Sequence, residues 1–317
     1  MRELGVAVIG AGFWGRNHAR NLNELSQTRL LAICDRDEKK AKAVAELFGV
    51  DTYRDSSRML ARKDVEAVTV CTWSTNLAAE AMKALKAGKH VLVEKPMANS
   101  VNEAKRIVQL AKTKQRLLMV GFLMRFIPGL ERIKQAVDKG EIGTVVYATA
   151  RRVSQWPERI GDVGVIKDLA VHDIDVTRYL FDDEPVEVFA KAGNFRHKKF
   201  EDHAQVLVTF KGGKTAFIEA NWLTPYKIRK LIVTGSEAIM TLNYITQEIM
   251  IETAGQTLAP RYEVKEPLKL ELEHFAHSIL DDKEPKITGV DGLKALQIAE
   301  AALKSSRTGT VVKLKPL

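Results

Sequence analysis

The chain has 317 residues, of which 45% are hydrophobic and 28% charged, and it carries a formal net charge of +9. Such a composition can bury a large core, and it excludes a disordered, collagen-like or fibrous protein. The length exceeds that of one average domain and predicts two.

The excess of positive charge is scattered along the chain, without a long basic run, a zinc-finger spacing or an RNA-binding aromatic pattern. We therefore expect no nucleic-acid partner. No apolar run approaches the roughly 20 residues that span a bilayer, and the first ten residues do not resemble a signal peptide, so we expect a cytoplasmic protein without a membrane partner. The two cysteines, Cys34 and Cys71, are too few for a disulfide framework and are expected to be buried and reduced.

Up to about residue 120, short apolar runs alternate with helical patterns. This alternation predicts an N-terminal, doubly wound parallel sheet of the Rossmann type, in a domain that we place at residues 1–122. The expected strands are 6–9, 29–34, 67–71, 90–93 and 117–120, and the expected helices are 13–25, 38–48, 75–87 and 102–114.

A GxGxxG motif follows the first expected strand and begins a helix. Gly10 permits a tight turn, Gly12 lets the backbone approach a pyrophosphate, and Gly15 allows the helix to pack closely on the strand. Asp35 ends the second expected strand, where a carboxylate can accept hydrogen bonds from the ribose hydroxyls of adenosine. The motif predicts a dinucleotide site rather than a merely structural turn. NAD is preferred over NADP because Asp35 repels a 2′-phosphate, although Arg36 can pair with that phosphate.

After about residue 122 the pattern changes to alternating segments, typical of an antiparallel sheet with one solvated face. The expected strands are 144–153, 186–192, 204–210, 214–220 and 227–234, and the expected helices are 129–138, 165–180, 268–280 and 292–305. The fold class is thus α/β, with the Rossmann domain followed by an α+β domain at residues 123–317 that has a large, mostly antiparallel open sheet. An uncovered sheet face needs a cover, so we expect a homodimer or homotetramer.

Glu94-Lys95-Pro96 follows the strand expected at 90–93, at the sheet edge where doubly wound folds bind ligands. Together with the glycine loop and the stretch from Asp168 to Asp175, which contains His172, it gives the chain a resemblance to the glucose-fructose oxidoreductase, inositol dehydrogenase and rhizopine catabolism (Gfo/Idh/MocA) family. The resemblance implies an NAD(P)-dependent dehydrogenase that acts on CH–OH groups, with Lys95, Asp168 and His172 as the catalytic group.

The residue types of this group suit the implied chemistry. Asp168 and His172 are four residues apart on an expected helix and should project from one face. A histidine can take a proton from a hydroxyl near neutral pH, and a carboxylate stabilises the imidazolium that forms. We expect His172 to be the base, Asp168 its partner or an acceptor of a substrate hydroxyl, and Lys95 a positioning cation, without a metal. The alternatives are an ordinary helix-surface pair, a surface lysine and a zinc site.

Family members commonly carry a proline in the loop after the fourth strand, where this chain has Thr72-Trp73. Trp73 either packs on the cofactor or fills the space of the missing ring. The residues expected to contact the cofactor are Gly10, Gly12, Phe13, Trp14, Gly15, Asp35, Arg36, Thr72, Trp73, Glu94 and Lys95.

The segment from Arg151 to Asp162 resembles family members that oxidise the 3-hydroxyl of a UDP-linked N-acetylhexosamine, such as UDP-N-acetylglucosamine. Arginines suit a diphosphate, and Trp156 can stack on a uracil or sugar face. The alternatives are solvated strand arginines, a free-sugar or inositol dehydrogenase, and a catalytically idle dinucleotide-binding sensor. The residues expected to contact the substrate are Lys95, Arg125, Arg152, Trp156, Arg159, Asp168 and His172.

Overall fold

The computed structural model describes residues 2–157 and 161–317. Their contacts divide the chain into two units, of which the first comprises Met1–Leu123 with Glu266–Leu293 and the second comprises Met124–Lys265 with Lys294–Leu317. Within the described residues, no helix is both long and apolar enough to cross a membrane.

The first unit contains a sheet of six parallel strands in the order β3-β2-β1-β4-β5-β6. Its strands are β1 Leu4–Ile9, β2 Thr28–Cys34, β3 Asp51–Tyr53, β4 Ala67–Val70, β5 His90–Glu94 and β6 Leu118–Gly121. The central strands β1 and β4 are buried along their whole length, as continuous apolar runs require in a sheet covered on both faces. The predicted Rossmann sheet is confirmed. The strand order reverses between β1 and β4, which is where doubly wound sheets bind ligands.

Helices connect these strands: α1 Phe13–Glu24, α2 Glu38–Ala45, α3 Ser56–Leu60, α4 Ser74–Lys86 and α5 Val101–Lys114. Side chains cap several of their N-termini. Asp37 accepts hydrogen bonds from the second and third residues of α2, and Ser100 accepts one from Glu103 in α5. Cys34 in β2 and Cys71 directly after β4 are buried and free, as expected from the sequence.

The segment 266–293 packs with the first unit, whereas the sequence analysis assigned everything after residue 122 to the second domain. Helix α8, Pro267–Leu280, contacts α1 and buries Leu272 and Phe275. The Glu266 carboxylate, at the start of α8, accepts hydrogen bonds from Arg20 and Asn21 of α1. The return of the chain depends on this non-local packing, which leaves no local pattern in the sequence.

The second unit contains a nine-stranded sheet in the order β14-β13-β12-β11-β7-β10-β9-β8-β15, in which only β7 and β10 pair in parallel. The mostly antiparallel sheet predicted from the sequence is confirmed. Its strands are β7 Val145–Val153, β8 Pro185–Gly193, β9 His203–Phe210, β10 Thr215–Asn221, β11 Ile228–Gly235, β12 Ile239–Asn243, β13 Ile249–Glu252, β14 Thr257–Leu258 and β15 Val312–Lys313.

One face of this sheet packs on helix α7, Val171–Phe181, which contacts β7 and β10. On the opposite face, Phe217 lies between Thr149 of β7 and Leu207 of β9. Phe217, Leu207 and Tyr147 remain exposed there. The remaining helices are α6 Pro128–Asp138 and α9 Gly289–Thr308, and the division between the units falls within α9.

Candidate active site

The glycine loop between β1 and α1 contains two glycines that the protein's own packing requires and one that it does not. Gly10 has φ +103°, and a Cβ there would lie 2.6 Å from the carbonyl oxygen of Cys71. A Cβ on Gly15 would lie 1.7 Å from the carbonyl oxygen of Gly10. A Cβ on Gly12 would meet no described atom within 4 Å. The open space at Gly12 fits the close approach of a pyrophosphate.

The N-terminus of α1 is available to an anion. Gly12 is its N-cap residue, and no side chain among the described residues caps the helix. The N–H groups of the first turn therefore point out of the helix without an intrahelical partner, as in phosphate-binding helices. Phe13 and Trp14 begin the helix as exposed rings in edge-to-face contact at 5.6 Å.

Asp35 lies beside the glycine loop, directly after β2. Its Oδ2 accepts a hydrogen bond from the Ala11 N–H at 2.7 Å, and its Oδ1 accepts one from the Asp37 N–H at 2.8 Å. Each carboxylate oxygen keeps a further lone pair, so the side chain can still accept hydrogen bonds from ribose hydroxyls. Arg36 is exposed. The loop, the helix terminus and Asp35 together fit a bound dinucleotide.

The Glu94 carboxylate, which was predicted to contact the cofactor, binds two groups of the protein itself. The side chain is only 5% exposed, its Oε1 lies 3.1 Å from His18 Nε2, and its Oε2 accepts a hydrogen bond from the Lys95 N–H at 3.2 Å. This buried carboxylate supports the end of β5, where half-buried Lys95 precedes a cis bond to Pro96. The pairing of His18 with Glu94 was not predicted, since it joins residues 76 positions apart.

Thr72 and Trp73 lie in the loop that follows β4. Trp73 is 45% exposed and is the N-cap residue of α4, and the Thr72 hydroxyl donates a hydrogen bond to the Trp73 carbonyl. An exposed indole at this edge of the sheet does not fill a buried space. This exposure favours the first of the two interpretations of Trp73, in which the ring packs on the cofactor.

Gly12→Ala should weaken the binding of NADH without unfolding the protein. Its Cβ meets no described atom, so we expect the free energy of unfolding to change by less than about 1 kcal/mol. The same methyl group occupies the space assigned to the pyrophosphate, and we expect the Kd for NADH, measured by fluorescence titration, to rise about tenfold or more. Gly15→Ala is the matched control: its Cβ would collide with the backbone, so it should destabilise the fold. An unchanged Kd in Gly12→Ala would contradict the assignment.

In the second unit, Asp168 and His172 do not lie on one regular helix. The expected helix 165–180 begins as a π-helical turn, Ile166–Ala170, and continues as α7. The N–H of Val171 reaches back five residues to Ile166, so a π-helical turn, rather than a regular α-helix, joins Asp168 to His172. Asp168 is half-buried and His172 is only 7% exposed. Single π-helical turns within helices occur frequently at functional sites.

Arg152 is a buried residue and not a freely exposed substrate ligand. Its side chain is 1% exposed and forms a fork with Asp173 of α7, in which Nε lies 2.6 Å from Oδ2 and Nη2 lies 2.9 Å from Oδ1. The guanidinium also lies over the ring of Tyr244, at 5.1 Å from its centroid. The alternative of a solvated strand arginine is thus wrong for this residue. The predicted diphosphate contact is limited to Nη1, which has no hydrogen-bond partner among the described residues.

Arg125 forms a second buried fork. Its Nε lies 2.8 Å from Oδ2 of Asp175, its Nη2 lies 2.5 Å from Oδ1, and the arginine is 4% exposed. The guanidinium also lies 4.9 Å from the centroid of the Tyr179 ring. These two nitrogens bind a carboxylate of α7, and a substrate contact of Arg125 stays a prediction. The two forks fix the helix segment that immediately follows His172.

Trp156 belongs to an aromatic cluster. The Arg196 guanidinium lies over its ring at 4.5 Å, and the rings of His197 and Trp222 lie at 6.3 Å. Arg196 covers one face of the half-buried indole. The predicted stacking of a uracil or sugar on Trp156 is therefore restricted to the part of the ring that Arg196 leaves uncovered. Arg159 lies outside the described residues.

Two cations near Arg152 were not predicted as site residues. Arg229 of β11 lies directly opposite Arg152 of β7, and Lys227 precedes β11. Burial and the charge of Arg152 lower the pKa of Arg229 to about 10, while the carboxylates of Asp173 and Asp168 oppose this shift. The pKa of Lys227 is lowered mainly by the charge of Arg229 and to a smaller extent by burial. The spacing of two between Lys227 and Arg229 was visible in the sequence, but the pairing of β11 with β7 was not.

Comparisons with known proteins agree with these features. Residues 4–122 match the family described as an oxidoreductase family with an NAD-binding Rossmann fold, and residues 130–241 match the GFO/IDH/MocA C-terminal domain.

Individual relatives cover nearly the whole chain. The chain is 31% identical to an inositol 2-dehydrogenase/D-chiro-inositol 3-dehydrogenase of Halalkalibacterium halodurans, over 96% of this chain and 92% of that protein. It is 30% identical to a myo-inositol 2-dehydrogenase of Thermotoga maritima, over 98% of each chain. Among solved structures, a UDP-N-acetylglucosamine 3-dehydrogenase from Acidithiobacillus ferrooxidans superposes with a TM-score of 0.90 at 26% identity, over 97% of this chain and 99% of that one.

Proposed function

The chain belongs to the Gfo/Idh/MocA family of oxidoreductases, and from this premise we propose that it oxidises a hydroxyl group of a nucleotide-linked sugar. The first unit is an NAD-binding Rossmann unit. The observation that carries the proposal is the placement of His172 on a helix that two buried ion pairs hold in position, one of them formed by Asp173, the residue directly after His172. A sensor that only binds a dinucleotide has no use for such an arrangement.

The proposed chemistry separates a proton from a hydride. Oxidation of a secondary alcohol to a ketone removes a proton from the hydroxyl and a hydride from the carbon, and bound NAD supplies the acceptor for the hydride. His172 takes the proton, and the Asp168 carboxylate stabilises the imidazolium that forms. Lys95 supplies a positive charge that orients the reacting oxygen and favours its deprotonated form. The same groups serve the reverse reaction with the roles of acid and base exchanged.

Asp35 supports a preference for NAD over NADP. Two backbone N–H groups hold its carboxylate beside the glycine loop, where it can accept hydrogen bonds from both ribose hydroxyls. The 2′-phosphate of NADP would lie at this place beside the negatively charged Asp35 carboxylate, and the two groups would repel each other. Exposed Arg36 is the residue that would favour NADP, and the ratio of rates with the two cofactors measures the balance.

For the substrate we propose a UDP-N-acetylhexosamine such as UDP-N-acetylglucosamine, oxidised at its 3-hydroxyl. The cations Arg152, Lys227 and Arg229 suit an anionic substrate. The structural similarity to a UDP-N-acetylglucosamine 3-dehydrogenase supports the same choice. The second candidate is an inositol or free-sugar dehydrogenase, which the identity of 30–31% to inositol dehydrogenases favours. A neutral cyclitol has no group that would pair with the three cations.

The experiment measures NADH formation at 340 nm with UDP-N-acetylglucosamine, its uronic acid, UDP-glucose, free N-acetylglucosamine and myo-inositol, each with NAD and with NADP. We expect the highest kcat/KM with a UDP-linked N-acetylhexosamine and NAD. A higher kcat/KM with myo-inositol than with every nucleotide sugar would replace the first candidate with the second. Turnover of none of these compounds, with NADH binding intact, would contradict both candidates.

We also propose that a second copy of the chain covers the open sheet face. That face carries the exposed apolar side chains Tyr147, Leu207 and Phe217, so two such faces can bury each other symmetrically. We expect light scattering to give the mass of a dimer or tetramer, and Phe217→Glu to shift it towards the monomer. A wild-type monomer at micromolar concentration would contradict this proposal.

A further inference from the structure

Two arginines lie side by side on one face of the second-unit sheet. Arg152 of β7 and Arg229 of β11 are directly opposite each other in an antiparallel pair, so both side chains project from the same face. This is the face that α7 covers, since Arg152 binds Asp173 of α7. Lys227 is two residues before Arg229 and extends the row of cations.

The positive charge on this face exceeds the negative charge that neutralises it. Asp173 forms its fork with Arg152, whereas Arg229 makes no side-chain hydrogen bond or ion pair with any described residue, and neither does Lys227. The opposite face of the same strands differs, because there Arg151 pairs with Glu219 at 2.9 Å. Of the arginines on these two strands that are discussed above, the one without a carboxylate partner, Arg229, thus lies on the covered face.

One buried nitrogen of the cluster has no hydrogen-bond acceptor among the described residues. Arg152 is 1% exposed and uses Nε and Nη2 for Asp173, but its Nη1 has no partner within the described parts of the chain. A buried N–H group without an acceptor is unfavourable, and a bound acceptor would remove the cost. Half-buried Arg229 lies beside it. Burial and the charge of Arg152 lower the pKa of Arg229. A bound oxyanion would offset the repulsion between the two guanidinium groups.

We propose that Arg229, Lys227 and the Nη1 group of Arg152 form an oxyanion subsite for the substrate. This inference rests on the proposed function and deepens it by naming the residues that select an anionic sugar. The group bound is a phosphoryl oxygen of a sugar diphosphate or the carboxylate of a hexuronate, because guanidinium groups bind either in a forked geometry. Since Arg152 binds Asp173, the residue directly after His172, the subsite lies close to the proposed base.

The test compares Arg229→Gln with Lys230→Gln. Lys230 is the next residue along β11, is exposed, and faces the opposite side of the sheet, where it pairs in register with Arg151. Calorimetry measures the binding of UDP, inorganic pyrophosphate and glucuronate to the full-length protein saturated with NADH, so the result does not depend on finding the right substrate. Arg229→Lys keeps the charge and removes the fork.

We expect at least one probe to bind the wild type, with its Kd raised tenfold or more in Arg229→Gln, partly restored in Arg229→Lys and unchanged in Lys230→Gln. Loss confined to UDP and pyrophosphate identifies a diphosphate, and loss confined to glucuronate identifies a carboxylate. Equal binding by Arg229→Gln and the wild type, or no binding of any probe, would overturn the subsite. If the probes bind as expected while no sugar is oxidised, the proposed function fails and the subsite remains.

Discussion

His172→Asn should lower kcat by about 10²–10⁴-fold, the contribution that a positioned general base typically makes. Asparagine is similar in size and can form hydrogen bonds, but it cannot accept a proton near neutral pH. His172 is not among the residues expected to contact the cofactor, so we expect the Kd for NADH to stay within about twofold of the wild-type value. The measurement is the initial rate at 340 nm with saturating NAD and the substrate that the panel identifies.

The matched control for this variant is His277→Asn. His277 is exposed on α8, where its Nε2 contacts the Gln27 side chain, and it belongs to no proposed site. We expect wild-type turnover from this control. If His172→Asn also turned over at nearly the wild-type rate, His172 would not be the base, and the assignment of the catalytic group would have to be abandoned.

Asp173→Ala should reduce the free energy of unfolding by about 3–5 kcal/mol, as expected when one partner of a buried ion pair is removed. The substitution leaves the Arg152 guanidinium at 1% exposure without its carboxylate. Urea denaturation followed by circular dichroism gives the change. The double variant Asp173→Leu with Arg152→Met should recover much of the loss, because it leaves no buried charge.

Glu141→Ala provides the comparison for this effect. Glu141 pairs with Arg132 in the same unit, but both side chains are more than a third exposed, and such pairs contribute about 0–1 kcal/mol. Equal and small losses in Asp173→Ala and Glu141→Ala would show that the buried fork does not stabilise α7. The argument that His172 is held in place by its neighbours would then fail.

The parallel sheet could be predicted because its central strands are local and strongly patterned. β1 and β4 are continuous apolar runs that remain buried throughout. β3 was not predicted, since Asp51–Tyr53 is only 3 residues long and largely exposed. The strands β12 to β15 were missed for a similar reason: they have 2 to 5 residues each and depend on non-local partners for their existence.

The residue types of the candidate site could be predicted more accurately than their partners. The predicted roles of the glycine loop and Asp35 depend on local geometry, and in the structure the two lie side by side, joined by the hydrogen bond from Ala11 to Asp35. Arg125 and Arg152 were predicted to contact the substrate, whereas their observed partners are carboxylates of α7, 50 and 21 residues away. The importance of Arg229 depends on its register opposite Arg152, which a single sequence does not reveal.

The measurement that tests the central claim most directly is the transfer of deuterium from the sugar to the cofactor. UDP-N-acetylglucosamine labelled with deuterium at C3 is oxidised with NAD, and the NADH is analysed by mass spectrometry. Direct hydride transfer predicts NADH that is one mass unit heavier, with the label at C4 of the nicotinamide and none in the solvent. NADH formed without the label, or label released to water, would contradict oxidation at C3 by hydride transfer.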